Sequence, residues 1–544
     1  MEWGLSWSAS ATQWPTFLLI AICALLWALK HHARKLEIAP SEPVLLPSAI
    51  PTLGHLLGIL ISGSGYYVSL FRKTGQQLQA ATLSLFGHKV YVIFSPSLAQ
   101  AALRNRDLSF EPFVVLASQA LANLEGRNLK LLKDGTLSRA FFHTLPGVLS
   151  AEPLGRMAAT GLLSMTGEIS ELCHQIDLSV NNQVEIPDLF GFVKKTMTLA
   201  ITDALYGLKD NVFRDDKTLI DSLWKFDETL PYLASGILPW LFAPRGNRAR
   251  IRIQTALGEY FRQHKTEQDF SPQTADVILL RHRVFRGLGF DDLEIGRMEL
   301  TMVFAGTNNS VPLVFWIIAN VLSRPGVLDR LRAEVQSIVD IVPAVEDQQQ
   351  VRMGDIRGRP PPPRRQANVR ASLLTDEALC PYLAAIQREA LRLCNTTTGF
   401  RHAMRDTTLP DGTFLRAGST VHIPTSVSHR LPEVWGPADP SEFEPARWLK
   451  TSGAPGLIKA PAAYFPFGGG KHLCPGRGFA YAENAGLLVT LALGFTISGL
   501  VPETLPPCPM ANLIGEGVPK PRQKVGVRIM RREGWEDVDW NLMW

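Results

Sequence analysis

The sequence predicts a mainly α-helical fold with small β-sheets, and three observations carry that expectation. Apolar residues recur at helical spacing over long stretches, notably 293–339 and 376–394. Strand-like alternation is confined to short runs such as "LFGHKVYVIF" (85–94) and "GTFLRAGSTVHI" (412–423). A chain of 544 residues that is 46% hydrophobic can bury a large core around such helices.

The first element is apolar. No residue from Gly4 to Leu29 is charged, and residues 13–31 read as a retained transmembrane anchor, which needs about 20 mostly apolar residues. A cleaved signal peptide would carry basic residues ahead of its apolar run. Here residues 1–14 have no Lys or Arg, while "KHHARK" (30–35) follows the run. The positive-inside rule then puts residues 1–12 in the lumen and the body of the chain in the cytosol. Residues 32–55 contain "APSEPVLLPSAIP" (39–51), whose prolines cannot donate backbone hydrogen bonds, so they read as a hinge. Residues 56–544 read as the folded body of the chain. Within it, 341–372 contains "RGRPPPPRRQ" (357–366) and reads as a disordered insertion. The long apolar segment 293–339 breaks at Ser323-Arg324-Pro325, with Pro325 suited to the first turn of the next helix.

Composition excludes some functions. The 55 basic and 50 acidic residues leave a net charge of +5, too small an excess for a chain whose main partner is nucleic acid. The six cysteines (Cys23, Cys173, Cys380, Cys394, Cys474, Cys508) follow no repeating interval, which speaks against a disulfide framework.

One of them sits in "FPFGGGKHLCPGRGFA" (465–480). A phosphate loop would need an earlier glycine and a hydroxyl after Lys471, where His472 stands. A zinc site would need a second ligand pair, and a redox motif a second nearby cysteine. What remains is a lone cysteine in a glycine turn, just before a helix expected over 475–493. Turn and helix-end N–H groups there favour the thiolate, the form in which sulfur binds a metal. On this stretch alone, a buried inert cysteine is the competing reading.

The stretch from Phe467 through Gly470 and Cys474 to Gly476 resembles the Phe-x-x-Gly-x-x-x-Cys-x-Gly haem loop of cytochromes P450. Three more stretches match that family in order: Glu389-Ala-Leu-Arg392 resembles its Glu-x-x-Arg helix, "FEPARW" (443–448) its Phe-x-Pro-x-Arg-Trp segment, and "SHRLPEVWGPADPSEFEP" (428–445) the lead-in. The resemblance spans roughly residues 45–530 and implies a cytochrome P450 fold carrying an N-terminal transmembrane helix. It makes Cys474 the axial thiolate ligand of a haem b iron, with Phe467, Gly470, His472 and Arg401 binding the cofactor. Arg401 matches the family's propionate arginine, while His472 stands where most members have an arginine. Glu389, Arg392 and Arg447 become a structural ion triad. The family's Trp-x-x-x-Arg helix is not recognisable in "GTLSRAFFHTLPG" (135–147).

The long helix departs from the family. Its usual Ala-Gly-x-Asp/Glu-Thr-Thr acid–alcohol pair is replaced by Ala305-Gly306-Thr307-Asn308-Asn309-Ser310. An amide is a poor proton relay but can orient a water. "FAGTNNSVPLVFW" (304–316) resembles the branch containing cholesterol 7α-hydroxylase and prostacyclin synthase, which includes both oxygen-inserting and rearranging enzymes. The resemblance makes Asn309, Ala305 and Gly306 catalytic, with Phe304, Thr398, Gly399 and Leu513 lining the substrate site. It implies a fungal-type monooxygenase of the endoplasmic reticulum membrane, single-pass, its catalytic domain cytosolic. NADPH–cytochrome P450 reductase would pass electrons from NADPH, with Lys471 and Arg477 on the docking face. The substrate would be an apolar small molecule such as a terpenoid, polyketide or indole-derived metabolite. The alternatives are a reductase-independent isomerase or peroxide rearrangement enzyme, a sterol hydroxylase, and a haem carrier or gas sensor.

Overall fold

The computed structural model describes residues 37–544 except 49, 51–52, 143–144, 235–238, 345–363, 437, 451–455 and 511–515. The expected anchor (13–31), the start of the hinge and Leu513 lie outside the described residues. The chain forms two compact units. The smaller takes in the described residues up to Phe110 together with Thr398–Ser428, and the larger takes in Glu111–Thr397 with His429–Trp544.

In the smaller unit, alternating apolar residues build a five-stranded sheet. Its strand order is Ala80–Leu85, His88–Ile93, Thr420–Pro424, Thr398–Ala403 and Leu108–Ser109. All neighbours are antiparallel except the second and third strands, which run parallel. Phe86 and Gly87 close the first hairpin at φ 50° and 79°, the double left-handed geometry that matches strand twist in a two-residue turn.

The larger unit is helical. Its longest helices are Ala151–Leu178, Leu189–Tyr206, Thr218–Ala234, Pro244–Gln263, Asp292–Thr307, Ser310–Leu322, Pro381–Cys394 and Arg477–Gly494. Asp291 and Glu294 form a reciprocal capping box that starts the central helix. Among the described residues, Asp292–Leu322 is the one helical stretch long and apolar enough to cross a membrane, yet most of its apolar window is buried in the core. It is interrupted at Asn308–Asn309, because Pro312 has no N–H to offer the carbonyl four residues back. The expected break at 323–324 is present, and Pro325 opens the next helix, Pro325–Val335.

The segment read as a disordered insertion carries strands among its described residues. Its described ends form strands Asp340–Pro343 and Arg365–Arg370, which join Val538–Met543 in a three-stranded sheet. Ala367 and Val369 alternate into the core, and Arg365 pairs with Asp537 at 2.5 Å. That partner strand lies at the far end of the chain, so local composition could not reveal it.

Candidate functional site

The Glu-x-x-Arg helix, Pro381–Cys394, is fixed at its start by a carboxylate. Glu334 of the helix Pro325–Val335 accepts the N–H groups of Tyr382 (2.7 Å) and Leu383 (2.9 Å), satisfying two donors that the first turn leaves open. Further along, Glu389 and Arg392 are fully buried and pair through two parallel bonds of 2.8 and 2.7 Å. Arg447 Nε reaches Glu389 Oε1 at 3.4 Å. The same carboxylate also accepts Trp448 Nε1–H at 2.9 Å and the Glu444 N–H at 3.0 Å. Arg392 spends its remaining donors on the carbonyls of His429 (2.9 Å), Pro440 (2.6 Å) and Glu442 (3.1 Å). Arg447 does likewise with Trp435 and Asp439. Two guanidinium groups thus hold carbonyls on both sides of the short helical turn Pro432–Trp435 against one carboxylate.

Sequence reading missed Trp448 and the Glu444 backbone. The indole was visible beside Arg447, and as a donor-only group it needs an acceptor when buried.

The cysteine loop is closed by a Cys474 N–H bond to the Phe467 carbonyl at 3.1 Å. Gly468 and Gly470 sit at φ 73° and 63°, a backbone region where a side chain would be strained. One residue past the Glu-x-x-Arg helix, Asn395 Nδ2–H donates to the Pro466 carbonyl at 2.7 Å, tying the loop to that helix. Phe467 packs half-buried against the core, and His472 ends the 3₁₀ turn Gly470–His472. Lys471 and Arg477 are exposed. Cys474 is partly buried just before the helix Arg477–Gly494. Burial pushes its thiol pKa up, opposed by the N–H groups of Gly476 and Arg477 and by the Arg477 charge. A thiol bound to a metal is deprotonated outright, so those groups would then face a thiolate. One thiol in a glycine turn, met by two N–H groups, suits a metal that brings its remaining ligands with it, as haem iron does.

Along the central helix, Ala305 and Asn309 are exposed and Gly306 is half-buried, within a helix otherwise sunk in the core. Four residues apart, Ala305 and Asn309 share one open face. Asn309 Oδ1 accepts the N–H groups of Gly517 (3.0 Å) and Val518 (3.1 Å), which fixes the amide oxygen end without ambiguity. Phe304, expected to line the substrate site, sits about a hundred degrees round. It is buried, with its ring edge-on to Phe226 of Thr218–Ala234 at 6.0 Å, so it belongs to the packed side of the helix.

Arg401, Thr398 and Gly399 lie in the smaller unit, on the strand Thr398–Ala403. Arg401 is 3% exposed; its guanidinium lies over the Phe110 ring at 5.6 Å, and burial pushes its pKa down to about 10. The structure therefore brings together Glu389, Arg392 and Arg447, gathers Phe467, Gly470, His472 and Cys474 in one loop, and sets Ala305 and Asn309 along the open side of one helix, whereas Gly306 faces Ile201 of the helix Leu189–Tyr206, where a Cβ would stand 3.0 Å from Ile201 Cγ2.

The family model described as "Cytochrome P450" matches residues 44–355 and 368–525. A "Cytochrome P450 monooxygenase" of Gibberella zeae is 30% identical over 97% of this chain and 96% of its own length. "Cytochrome P450 7B1" of Mus musculus is 26% identical over 88% of this chain and 89% of its own. Among solved structures, "Retinoic acid bound cyanobacterial CYP120A1" superposes with a TM-score of 0.62 at 19% identity, covering 90% of this chain and 99% of that one.

Proposed function

The chain belongs to the cytochrome P450 family and is a monooxygenase, and from that premise we propose that it oxidises an apolar secondary metabolite at a membrane surface. Electrons come from NADPH through NADPH–cytochrome P450 reductase, with Lys471 and Arg477 on the docking face. The chain is held in the endoplasmic reticulum membrane by residues 13–31, its catalytic body in the cytosol. A terpenoid, polyketide or indole-derived substrate is in keeping with the fungal relative, and a sterol is the alternative of the same apolar class.

The observation that carries the reading is the Cys474 loop, a single sulfur presented by a glycine turn that is tied to the Glu389–Arg392 helix. When bound, haem supplies a sulfur-ligated iron at which O₂ is activated. The residues divide the remaining work. Cys474 holds the iron, and Phe467, Gly470 and His472 shape the loop around the cofactor. Glu389, Arg392 and Arg447 fix the chain 429–448 that leads into that loop. Ala305 keeps the open helix surface low, and Gly306 leaves room for Ile201 of the helix Leu189–Tyr206. Arg401 as a propionate partner, and Thr398, Gly399 and Leu513 as lining residues, rest on the resemblance alone.

Asn309 has a narrower role than a threonine would. Its oxygen already takes two N–H donors, so it presents only amide N–H to the open face. It can orient a water there, but it cannot accept and pass on a proton. That same fact favours a second reading, a reductase-independent rearrangement, which needs no proton delivery. The test is turnover of an apolar host extract by purified holoenzyme with reductase. Strict dependence on both NADPH and O₂ supports the monooxygenase, and turnover without either supports rearrangement.

A further inference from the structure

Segments 208 residues apart meet at the break in the central helix. Beyond the two bonds to Asn309, Trp316 Nε1–H donates to the Pro519 carbonyl at 2.7 Å, and Thr396 N–H donates to the Gly517 carbonyl at 3.1 Å. On the packed side, Asn308 Nδ2–H donates to Asp227 Oδ1 of the helix Thr218–Ala234 at 3.1 Å. The other oxygen of Asp227 pairs with Lys520 Nζ. Lys520 also stands 3.9 Å from Glu516 and 5.8 Å from the centre of the Trp224 ring. The carboxylate missing from position 308 is thus supplied by a neighbouring helix, aimed at the Asn308 amide and neutralised by a lysine of the C-terminal segment.

Burial decides what this pair does. The Asp227 side chain is 5% exposed and that of Lys520 is 21% exposed. A carboxylate at that depth is costly unless it stays paired, so Lys520 cannot leave without stranding it. Helix 218–234, the helix break and residues 516–520 are therefore held to one another, and Asn309 takes its place on the open face from that arrangement. We propose that Asp227 and Lys520 are positioning residues of the oxygenation site, whose ion pair sets the register of Asn309 and of segment 516–520 and so limits the size of molecule admitted beside them. The inference rests on the monooxygenase reading only in taking the Ala305–Asn309 face as the oxygenation side.

The test compares wild-type holoenzyme with Lys520→Met, Asp227→Asn and Lys520→Arg. Hydrogen–deuterium exchange at the Gly517 and Val518 amides needs no cofactor. Titration with imidazole and with the bulkier phenylimidazole, followed by the Soret band, reads the space at the site. The Met and Asn variants are expected to exchange about tenfold faster at these two amides, as loss of a largely buried pair implies. The ratio of the two azole affinities should shift by about threefold or more, the scale on which a small change in pocket size discriminates ligands. Lys520→Arg should keep wild-type values in both. If Asp227→Asn does not accumulate, Lys520→Met carries the test, since its side chain reaches solvent. Unchanged exchange, or both azole affinities shifting by the same factor, overturns the assignment. A wild-type protein that lacks a sulfur-ligated haem spectrum would instead remove the functional reading, with the exchange result still deciding whether the pair holds the segment.

Discussion

Replacing Glu389 with glutamine changes one atom type at a carboxylate buried in the larger unit. Five donors converge on it: Arg392 Nε and Nη2, Trp448 Nε1, the Glu444 N–H and Arg447 Nε. A glutamine keeps one acceptor oxygen and turns an NH₂ group toward N–H groups that had been bonded to the other. Both arginines then keep their charge without a counter-charge, in a site where the side chains of Arg392 and Arg447 are 0% and 7% exposed. Breaking a buried pair from one side costs about 3–5 kcal/mol. Unfolding entropy near 2.1 cal/mol/K per residue over the roughly 400 residues of the larger unit converts that to a Tm lower by about 4–6 °C. The chain 429–442 should loosen first, because its carbonyls are held by the same two guanidinium groups. Calorimetry on holoenzyme, with the bound haem fraction measured in parallel, reads both effects. A Tm within about 1 °C of wild type together with full haem retention would show that Glu389 does not hold this stretch.

Three further changes have defined outcomes. Trp448→Phe keeps most of the ring but removes the 2.9 Å bond to Glu389, so it should cost about 1.5–3 kcal/mol and lower Tm by less than Glu389→Gln does. Asn395→Ala frees the Pro466 carbonyl ahead of the cysteine loop. Losing about 1 kcal/mol of loop anchoring should speed transfer of haem to apomyoglobin about fivefold, and an unchanged rate would dismiss the tether. Glu483, nine residues past Cys474, is fully buried with neither oxygen hydrogen-bonded, and burial raises its pKa well above the carboxylate range. With a raised folded pKa, stability is complete below the unfolded value of about 4.3 and drains away as pH rises toward the folded one. Glu483→Gln cannot ionise, so it should flatten the decline in Tm as pH rises above about 5, and parallel declines in both proteins would contradict this.

What the sequence disclosed, and what it hid, follows from how far apart interacting residues lie. The cysteine loop was legible because a metal ligand, its turn glycines and the next helix must be contiguous. Glu389 and Arg392 were legible because a helix brings residues three apart onto one face. Trp448 was hidden because its acceptor lies 59 residues away, and the Asp227–Lys520 pair because its partners come from a helix and a C-terminal segment that no local pattern links. The strand Arg365–Arg370 was obscured by its proline- and arginine-rich neighbourhood, and its pairing partner is the last strand of the chain. Phe304 illustrates helical phase: next to Ala305 in sequence, it points into the packing against Phe226 while Ala305 faces out.

Haem ligation by Cys474 is tested most directly by the absorption spectrum of reduced holoprotein under carbon monoxide, compared with Cys474→Ser. The wild-type protein should show the red-shifted Soret band of sulfur-ligated haem, and the serine variant should lose it. A wild-type protein without that band, or a serine variant that keeps it, would contradict the account.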